Sequence, residues 1–296
     1  MKTMLLLADS GSTKTDWCLI SKSGDEKYFQ TIGLNPYFVD ESMVDEILSK
    51  ELDPFFDKSK VEFVHFFGSG CANDSKKMVL QYSLEHFFST AEVFVESDLI
   101  GAAQALCGKE KGLVCILGTG SSSCLYDGQN IIDRRPSLGY LLGDHGSAAS
   151  LGLHLLSDFL HQDMPEHLQN AFAQECPYLT PDILDRVYKG PFPNRFLGGF
   201  AKFLFEHKEE MYAKNLVTKA FETFFEKQIL RYPNFSAYPI HFVGSTAYWF
   251  SNLIHEVAQK NGLQIQQIVQ RPMDGLKAYY KPLFVEQAQQ EDIPDF

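Results

Sequence analysis

The sequence lacks a long apolar run. No stretch approaches the ~18 apolar residues of a membrane-spanning helix, and the apolar opening stretch meets Asp9 before it reaches the roughly 7 residues of a signal-peptide core. These absences exclude a membrane span and a secretory leader from the expected features. We therefore interpret Leu5 to Ala8 as a buried strand and expect a cytoplasmic protein.

Positive charge is also scarce. The 296 residues contain 26 Lys and Arg against 38 Asp and Glu, a formal net charge of -12, and no block of like charges occurs. Nucleic acid and anionic membrane surfaces are therefore excluded as expected partners. A local basic pocket for a single phosphate group remains compatible with this balance.

Paired cysteines are missing. The six cysteines, at positions 18, 71, 107, 115, 124 and 176, form no CxxC motif and no zinc-like group with histidine. Three of them, Cys18, Cys115 and Cys124, lie in strand-like runs. We expect buried thiols rather than disulfides or metal ligands.

The two commonest nucleotide-binding motifs are absent, because no GxxxxGK[ST] occurs and no GxGxxG opens a helix after a strand. The first predicted strand instead stops at Asp9, followed by the turn S10-G11-S12-T13. Such a turn either bonds its own backbone or presents amides and hydroxyls to an anion and its acid to a cation. This stretch alone leaves both interpretations open.

The second half repeats this beginning. Strand L113 to L117 runs into the turn G118-T119-G120-S121, and two further strands follow, as they do after Asp9. Residues 147–231 are predicted to be mostly helical. The repeat predicts two similar β-rich units with helices packed on their sheets. Their glycine-rich turns allow close backbone approach to the phosphates of a nucleotide.

Five motifs in order resemble those of the N-acetylglucosamine kinase and benzoyl-CoA-reductase-activator branch of the actin-like ATPases, the BadF/BadG/BcrA/BcrD-type family. The resemblance covers about residues 5 to 280. The motifs are D9-x-G11-S12-T13-K14-T15, E96-S97-D98-x-x-G101-A102, L117-G118-T119-G120-S121, L142-G143-D144-x-G146-S147 and V243-G244-S245-T246.

The resemblance implies an α/β fold with two ribonuclease-H-like domains and a nucleotide cleft between them. We expect domains at residues 1–107 and 108–284, followed by a polar tail at 285–296. The segment P272-M273-D274-G275 resembles the one that begins the last helix in this branch.

The same resemblance implies ATP and Mg²⁺ as cofactors. Asp9 corresponds to the acid that holds Mg²⁺, usually through water. The remaining cofactor contacts are expected on both halves of the chain, at Gly11, Ser12, Thr13, Lys14, Thr119, Gly120, Gly198, Gly244 and Ser245.

Asp98 corresponds to the carboxylate that takes a proton from the sugar hydroxyl; as a structural alternative, it caps the helix Leu99 to Cys107. Asp144 corresponds to an acceptor for sugar hydroxyls, or it is a turn acid. The other expected sugar contacts are Asn35, Ser69, Gly70, Gly120 and Leu138. Leu138 stands where the amino-sugar kinases place a tryptophan, which weakens the case for N-acetylglucosamine itself more than the case for a kinase.

The leading hypothesis is an ATP-dependent kinase of an amino sugar, N-acetylglucosamine or a related cell-wall sugar. The main alternative is an ATP-hydrolysing activator of a dehydratase or reductase, whose relatives carry an iron-sulfur cluster on exposed cysteines shared between subunits. A non-catalytic sugar or nucleotide sensor is the third hypothesis. The expected partner is a small-molecule sugar, and a homodimer is one open oligomeric state.

Overall fold

A computed structural model of the protein describes residues 3–291 and divides into two compact units. Unit 1 comprises residues 3–110, 128–130 and 271–291, and unit 2 comprises residues 111–127 and 131–270. Among the described residues, no helix combines the length and apolar character that a membrane crossing requires.

Unit 1 contains one five-stranded sheet. The strands are β1 (Met4–Ser10), β2 (Lys14–Ser21), β3 (Glu26–Ile32), β4 (Val61–Gly68) and β5 (Glu92–Ser97). Their order in the sheet is β3-β2-β1-β4-β5. The pairs β1–β2 and β2–β3 are antiparallel, whereas β4 runs parallel to both β1 and β5.

Both faces of this sheet are covered, which explains the uninterrupted apolar run of β1. Leu6 and Ala8 face one core, whereas Leu5 and Leu7 face a second core on the opposite side, as the alternation of side chains along a strand requires. The helices are α1 (Glu41–Ile47), α2 (Asp74–Phe87), α3 (Asp98–Cys107) and α13 (Met273–Glu291), the last numbered by its position in the chain.

The last helix belongs to unit 1. Met273, Leu276 and Phe284 of α13 pack in the core that contains Leu5 and Leu7. The expected domain boundaries had placed 273–284 in the second half, and the expected tail from 285 onward begins inside this helix. Residues 292–296 of that tail lie outside the described residues.

Unit 2 repeats the arrangement. Its strands are β6 (Gly112–Leu117), β7 (Ser121–Tyr126), β8 (Ile131–Arg134), β9 (Ile240–Val243) and β10 (Ile265–Val269). Their order in the sheet is β10-β9-β6-β7-β8. The neighbours β6–β7 and β7–β8 are antiparallel, whereas β9 is parallel to β6 and β10.

The helices of unit 2 lie mostly, but not entirely, in the predicted helical region 147–231. They are α4 (Gly139–Leu142), α5 (Ala148–His161), α6 (Glu166–Glu175), α7 (Thr180–Tyr188), α8 (Pro193–Gly199), α9 (Ala201–Glu206), α10 (Met211–Lys227), α11 (Ser245–Trp249) and α12 (Ser251–Lys260). Their apolar faces, from Leu151 of α5 to Phe224 of α10, pack in one core with Leu117 of β6. The predicted α/β fold with two duplicated halves is confirmed.

The apolar periodicity of Met43 to Phe56 predicts one continuous helix. The structure forms only α1 there, followed by a π-helical turn Leu48–Leu52 and a 3₁₀ turn Asp53–Phe55. Pro54 lies in the 3₁₀ turn and lacks a backbone N–H, so the hydrogen bonds of an α-helix cannot continue through it.

Candidate active site

In unit 1 the glycine- and hydroxyl-rich turn joins β1 to β2. The turn is closed by a bond from the Gly11 N–H to the Lys14 carbonyl at 3.0 Å. Below it, the buried hydroxyls of Ser10 and Thr15 lie 2.8 Å apart. The Leu34 N–H also donates to Ser10 Oγ at 3.0 Å. The hydroxyls nearest the sheet thus fix the turn.

Gly33 packs directly on this turn and was missed by the sequence interpretation. Its N–H donates to the Thr13 carbonyl at 3.1 Å, and a Cβ at this position would lie 2.3 Å from the Gly11 carbonyl oxygen. Only glycine allows this close approach of two backbones. The signal in the sequence was a glycine immediately after β3.

Asp9, at the end of β1, is a partly buried carboxyl in an acidic environment. Burial, followed by the charges of Asp98 and Asp16, raises the pKa of Asp9 from 3.8 to about 7, against the opposing effect of Lys14 and Arg271. Ionisation of Asp9 is unfavourable in these surroundings. A cation bound beside Asp9 would therefore stabilise its carboxylate form.

Asp16 organises both of these cations. Its carboxylate contacts Lys14 Nζ at 2.9 Å and Arg271 at 3.9 Å, and it accepts a 2.6 Å bond from Gln30 Nε2. In the register of the hairpin, Asp16 lies directly opposite Asp9. The sequence interpretation also missed Asp16. It named Lys14 as a cofactor contact but did not consider which side chain would pair with Lys14.

The residues around Asp9 fit a hydrated Mg²⁺. No group of three or more His, Cys, Asp or Glu side chains arranged for a metal ion exists in residues 3–291. Mg²⁺, however, is usually bound by one or two carboxylates, with water and substrate phosphates completing its shell. The carboxylate oxygens of Asp9 match that preference. Asp16 and Asp98 lie near enough for their charges to raise the pKa of Asp9.

Asp98 is the first residue of α3 rather than its cap. Ser97 occupies the N-cap position, and its Oγ accepts a 3.4 Å bond from the Ile100 N–H. Asp98 Oδ1 accepts a 2.9 Å bond from the Leu99 N–H. The structural alternative for Asp98 is therefore corrected: Ser97 makes the capping bond, because Ser, like Asp, accepts from the amide three residues later.

The expected sugar contacts of unit 1 lie together beside the turn. The buried Asn35 donates from Nδ2 to Ser12 Oγ at 3.0 Å and accepts from the Tyr37 N–H at 3.0 Å. A Cβ on Gly70 would lie 2.6 Å from Asn35 Oδ1. The Ser69 N–H donates to the Ser10 carbonyl at 2.8 Å. Asn35 thereby links the predicted phosphate turn to the predicted sugar loop.

In unit 2 the corresponding turn, Gly118–Gly120, is held by α5. The Ala148 and Ala149 N–H groups donate to the carbonyls of Gly118 and Thr119 at 2.9 and 3.1 Å. These donors belong to the first turn of α5, whose amides have no partner within the helix. The helix start therefore sets the orientation of the turn.

Asp144 packs on the same turn. Its Oδ1 accepts a 3.1 Å bond from the Ser121 N–H, and its Oδ2 would be 3.1 Å from a Cβ on Gly120. Burial raises the pKa of Asp144 above the usual carboxyl value, although the Ser121 bond opposes this. Asp144 has a left-handed φ of 52°, a conformation that Asp tolerates better than most residues.

Three further predicted residues surround this turn. Gly244 has a φ of 123°, and a Cβ there would lie 2.2 Å from the Leu117 carbonyl oxygen, so glycine is required. Ser245 follows as the first residue of α11. A Cβ on Gly198 of α8 would lie 3.4 Å from Thr119 Cγ2. Unit 2 therefore gathers Thr119, Gly120, Asp144, Gly198, Gly244 and Ser245.

Leu138 lies just before α4 and is 56% exposed. A Cβ on Gly143 would lie 3.0 Å from Leu138 Cβ, so Leu138 packs against the residue that precedes Asp144. Leu141 and Leu142 of α4 are exposed as well. This segment thus presents aliphatic side chains to solvent beside Asp144.

All six cysteines are free and buried. Burial raises the pKa of Cys71 to about 12 and that of Cys107 to about 11. Buried, protonated thiols are inert and poorly suited to ligate a shared cluster. The prediction of buried thiols is confirmed for this chain.

The comparisons with solved structures agree with this architecture. A crystal structure from Porphyromonas gingivalis, of a protein proposed to be an N-acetylglucosamine kinase, is 40% identical, with a TM-score of 0.89 over 94% of this chain and 99% of that one. A second, from Chromobacterium violaceum and also proposed to be an N-acetylglucosamine kinase, is 15% identical, with a TM-score of 0.65 over 94% and 98% of the two chains.

A ROK family glucokinase from Streptomyces griseus, solved with glucose and AMPPNP, is 14% identical, with a TM-score of 0.51 over 97% of this chain and 99% of that one. The two distant structures support the fold alone. No protein-family model and no curated protein matches the sequence. On the strength of the 40% identity across nearly the whole of both chains, this protein belongs to the family of the Porphyromonas gingivalis protein and has the actin-like ATPase fold of the sugar kinases.

Proposed function

We propose that this chain is an ATP-dependent kinase that phosphorylates a hydroxyl of an amino sugar, N-acetylglucosamine or a related cell-wall sugar. The observation that carries the proposal is the pair of acids at the end of the unit 1 sheet. Asp9 is the last residue but one of β1, Asp98 begins α3, and the charge of Asp98 raises the pKa of Asp9. The relative from Porphyromonas gingivalis supports the same chemistry.

Each acid has a separate role in the proposed reaction. Asp98 accepts the proton of the attacking sugar hydroxyl, while its Oδ1 stays oriented by the Leu99 N–H. Asp9 would hold Mg²⁺, which neutralises charge on the transferred phosphoryl group when it is bound. Phosphoryl transfer depends mainly on positioning and charge stabilisation, so two fixed acids are chemically sufficient.

The turns would position the nucleotide. In unit 1, the amides and hydroxyls of Gly11, Ser12 and Thr13 would contact the outer phosphates, with Lys14 as their cation. In unit 2, Thr119 and Gly120 would contact the phosphates, and Gly198, Gly244 and Ser245 the nucleoside. The hydrogen bonds that hold each turn support this role, because a preorganised site spends less binding energy on ordering.

The proposed sugar contacts are Asn35, Ser69 and Gly70 within unit 1, and Gly120, Leu138 and Asp144 within unit 2. The bond from Asn35 to Ser12 supports this assignment. Through this bond, a movement of Asn35 on sugar binding would also move the phosphate turn. Leu138 offers an aliphatic rather than an aromatic surface. We therefore expect weak discrimination at the substituent that faces it.

A coupled assay of ADP release tests the proposal. The purified protein is supplied with ATP and Mg²⁺ and a panel of amino sugars, plain hexoses and cell-wall fragments. We expect ADP release that depends on one sugar class, with an amino sugar giving the highest kcat/KM. ADP release that is equal with and without every sugar would contradict the kinase.

The iron-sulfur activator is disfavoured by the burial of all six thiols. Anaerobic purification and an absorption spectrum provide an independent test, because an iron-sulfur protein is brown and absorbs near 400 nm. We expect a colourless protein. Absorption in that region with stoichiometric iron would favour the activator.

A further inference from the structure

Unit 2 contains a cavity of about 670 Å³ that the proposed kinase site does not use. Ligand pockets typically measure roughly 300–1,000 Å³. Residues of α5 and α10 line it, together with Tyr140, Leu141, Gly143 and His145. Neither Asp144 nor the turn Gly118–Gly120 lines it.

Basic side chains outnumber acidic ones in the lining of this cavity. The protein carries a formal net charge of -12, yet the cavity is lined by His145, His154 and Lys219 against a single carboxylate, Asp158. That carboxylate accepts a 2.7 Å bond from the Tyr212 hydroxyl. This bond leaves Asp158 charged but fixes its direction, so Lys219 and the two imidazoles are the groups that can contact an anion.

The histidines can supply donors to an anion. His154 Nδ1 lies 2.7 Å from the Ser150 carbonyl, so this nitrogen carries the proton and Nε2 becomes a second donor when the ring is protonated. Burial, together with the charges of Lys227 and His154, lowers the pKa of His145. An anion near the His145 ring would favour its protonation.

The rest of the lining is suited to a hydroxylated ring. Tyr140 and Tyr212 offer aromatic surface, and Asn215 and Thr223 offer hydrogen-bonding groups, along α4 and α10. Aromatic faces with a few polar groups are common in small-molecule sites. This combination lies beside the bases within the same cavity.

We propose that the cavity is a second ligand site for a small hydroxylated molecule with an anionic group, the chemistry of a sugar phosphate. Lys219, His145 and His154 contact the anion, and the tyrosines contact the ring. The site is distinct from the proposed phosphate turns, because its lining shares no residue with them.

Occupancy of this site would affect the acceptor loop. Gly143 and His145, which line the cavity, flank Asp144. Asp144 has a left-handed φ of 52°, a conformation that a non-glycine residue keeps only where the surrounding structure holds it. A bound ligand would therefore change the KM for the acceptor sugar, a consequence that rests on the proposed kinase activity.

Calorimetric titration tests the site directly. Sodium sulfate is the first probe, because its charge is constant between pH 6 and pH 8, and saturating ADP with Mg²⁺ keeps it from the proposed phosphate turns. We expect one sulfate per chain, bound about fivefold more tightly at pH 6 than at pH 8, because a bound anion favours protonation of His145. No binding to the parent protein would overturn the proposal.

Two lysines of the same helix provide matched variants. Lys219→Met should weaken sulfate binding about tenfold, whereas Lys214→Met, at a lysine that pairs with Glu256 at 3.2 Å outside the cavity, should leave it unchanged. His145→Gln should remove most of the pH dependence. Equal affinities in the two lysine variants would contradict the assignment, whether or not the protein is a kinase.

Glucose 6-phosphate and inorganic phosphate separate the two sources of the anion. If the tyrosines contact a ring, glucose 6-phosphate should bind about tenfold more tightly than phosphate, and Tyr140→Ala should abolish the difference. Equal affinities of the two probes in the parent protein would overturn the ring-binding part of the proposal.

Discussion

Asp9 and Asp16 lie directly opposite each other in the β1–β2 hairpin, so that two acids share one face of the sheet end. Lys14 and Arg271 contact Asp16, and both lower the pKa of Asp9 against the larger effect of burial. The hairpin thus places two acids and two cations around the start of the phosphate turn. Such charge packing is typical of functional sites.

Asp9→Asn should stabilise the protein at high pH. The pKa of Asp9 is about 7 in the folded chain against a usual 3.8, so its contribution to stability is greatest below about pH 4 and is lost as pH rises through 7. We expect the variant to melt about 2–6 °C higher than the parent at pH 8 and at the same temperature at pH 4.

Melting curves by circular dichroism at both pH values provide the measurement. Asp45→Asn is the control, because Asp45 is an exposed acid on α1, and it should show no gain at either pH. Mg²⁺ with ATP should stabilise the parent but not Asp9→Asn. A variant that is less stable than the parent at pH 8 would contradict the described environment of Asp9.

Asp16→Asn should separate nucleotide affinity from metal affinity. The substitution removes a negative charge and releases Lys14 from a 2.9 Å ion pair. We expect ATP without Mg²⁺ to bind about three- to tenfold more tightly, whereas half-maximal turnover should need more Mg²⁺. Calorimetry and a Mg²⁺ titration of turnover measure the two effects, and no change in either would refute this role of Asp16.

Gly33→Ala should destabilise unit 1 and loosen the phosphate turn. The added methyl group would lie 2.3 Å from the Gly11 carbonyl oxygen, and relief of such an overlap typically costs about 1–3 kcal/mol. Gly199→Ala is the control, since a Cβ there meets nothing within 4 Å. Urea unfolding and ATP affinity should both change in the first variant only; equal stabilities would show that the turn moves freely.

Leu138→Trp should sharpen the choice between N-acetylated and plain sugars. Leu138 is 56% exposed, so a larger ring can be accommodated without disturbing the core. We expect the ratio of kcat/KM values to rise by about three- to tenfold, as one added apolar contact allows. Leu142→Trp, on the more exposed end of α4, is the control, and identical ratios in both variants would mean that position 138 does not contact the sugar.

Much of the fold could be predicted from the sequence because its strands are short, apolar and followed by glycine-rich turns. The alternation of Leu5 and Leu7 with Leu6 and Ala8 between two cores left β1 without any polar residue before Asp9. The position of α13 could not be predicted, because the contact of Met273 with a sheet formed at the other end of the chain has no local signal.

The candidate site was predictable where a residue type is demanded by the backbone. Gly244 and Gly120 both belong to motifs of the sequence; the structure places Gly120 in the second turn and packs Gly244 against it. The sequence interpretation missed Gly33 and Asp16, because the role of each depends on a partner from another strand or turn. It also missed the capping role of Ser97, because the helix begins one residue earlier than predicted. Long-range pairing decides such details, and a single sequence does not contain it.

The most direct measurement of the central claim is the rate of phosphoryl transfer by Asp98→Asn. Because Ser97 caps α3 and the asparagine oxygen can still accept the Leu99 N–H, the variant should melt within about 1 °C of the parent and bind ATP with unchanged affinity. Transfer to the best acceptor sugar should fall by about 10²- to 10⁴-fold, the usual contribution of a positioned base. A variant that binds ATP normally and phosphorylates the sugar at the parental rate would contradict the assignment of Asp98 and, with it, the proposed kinase mechanism.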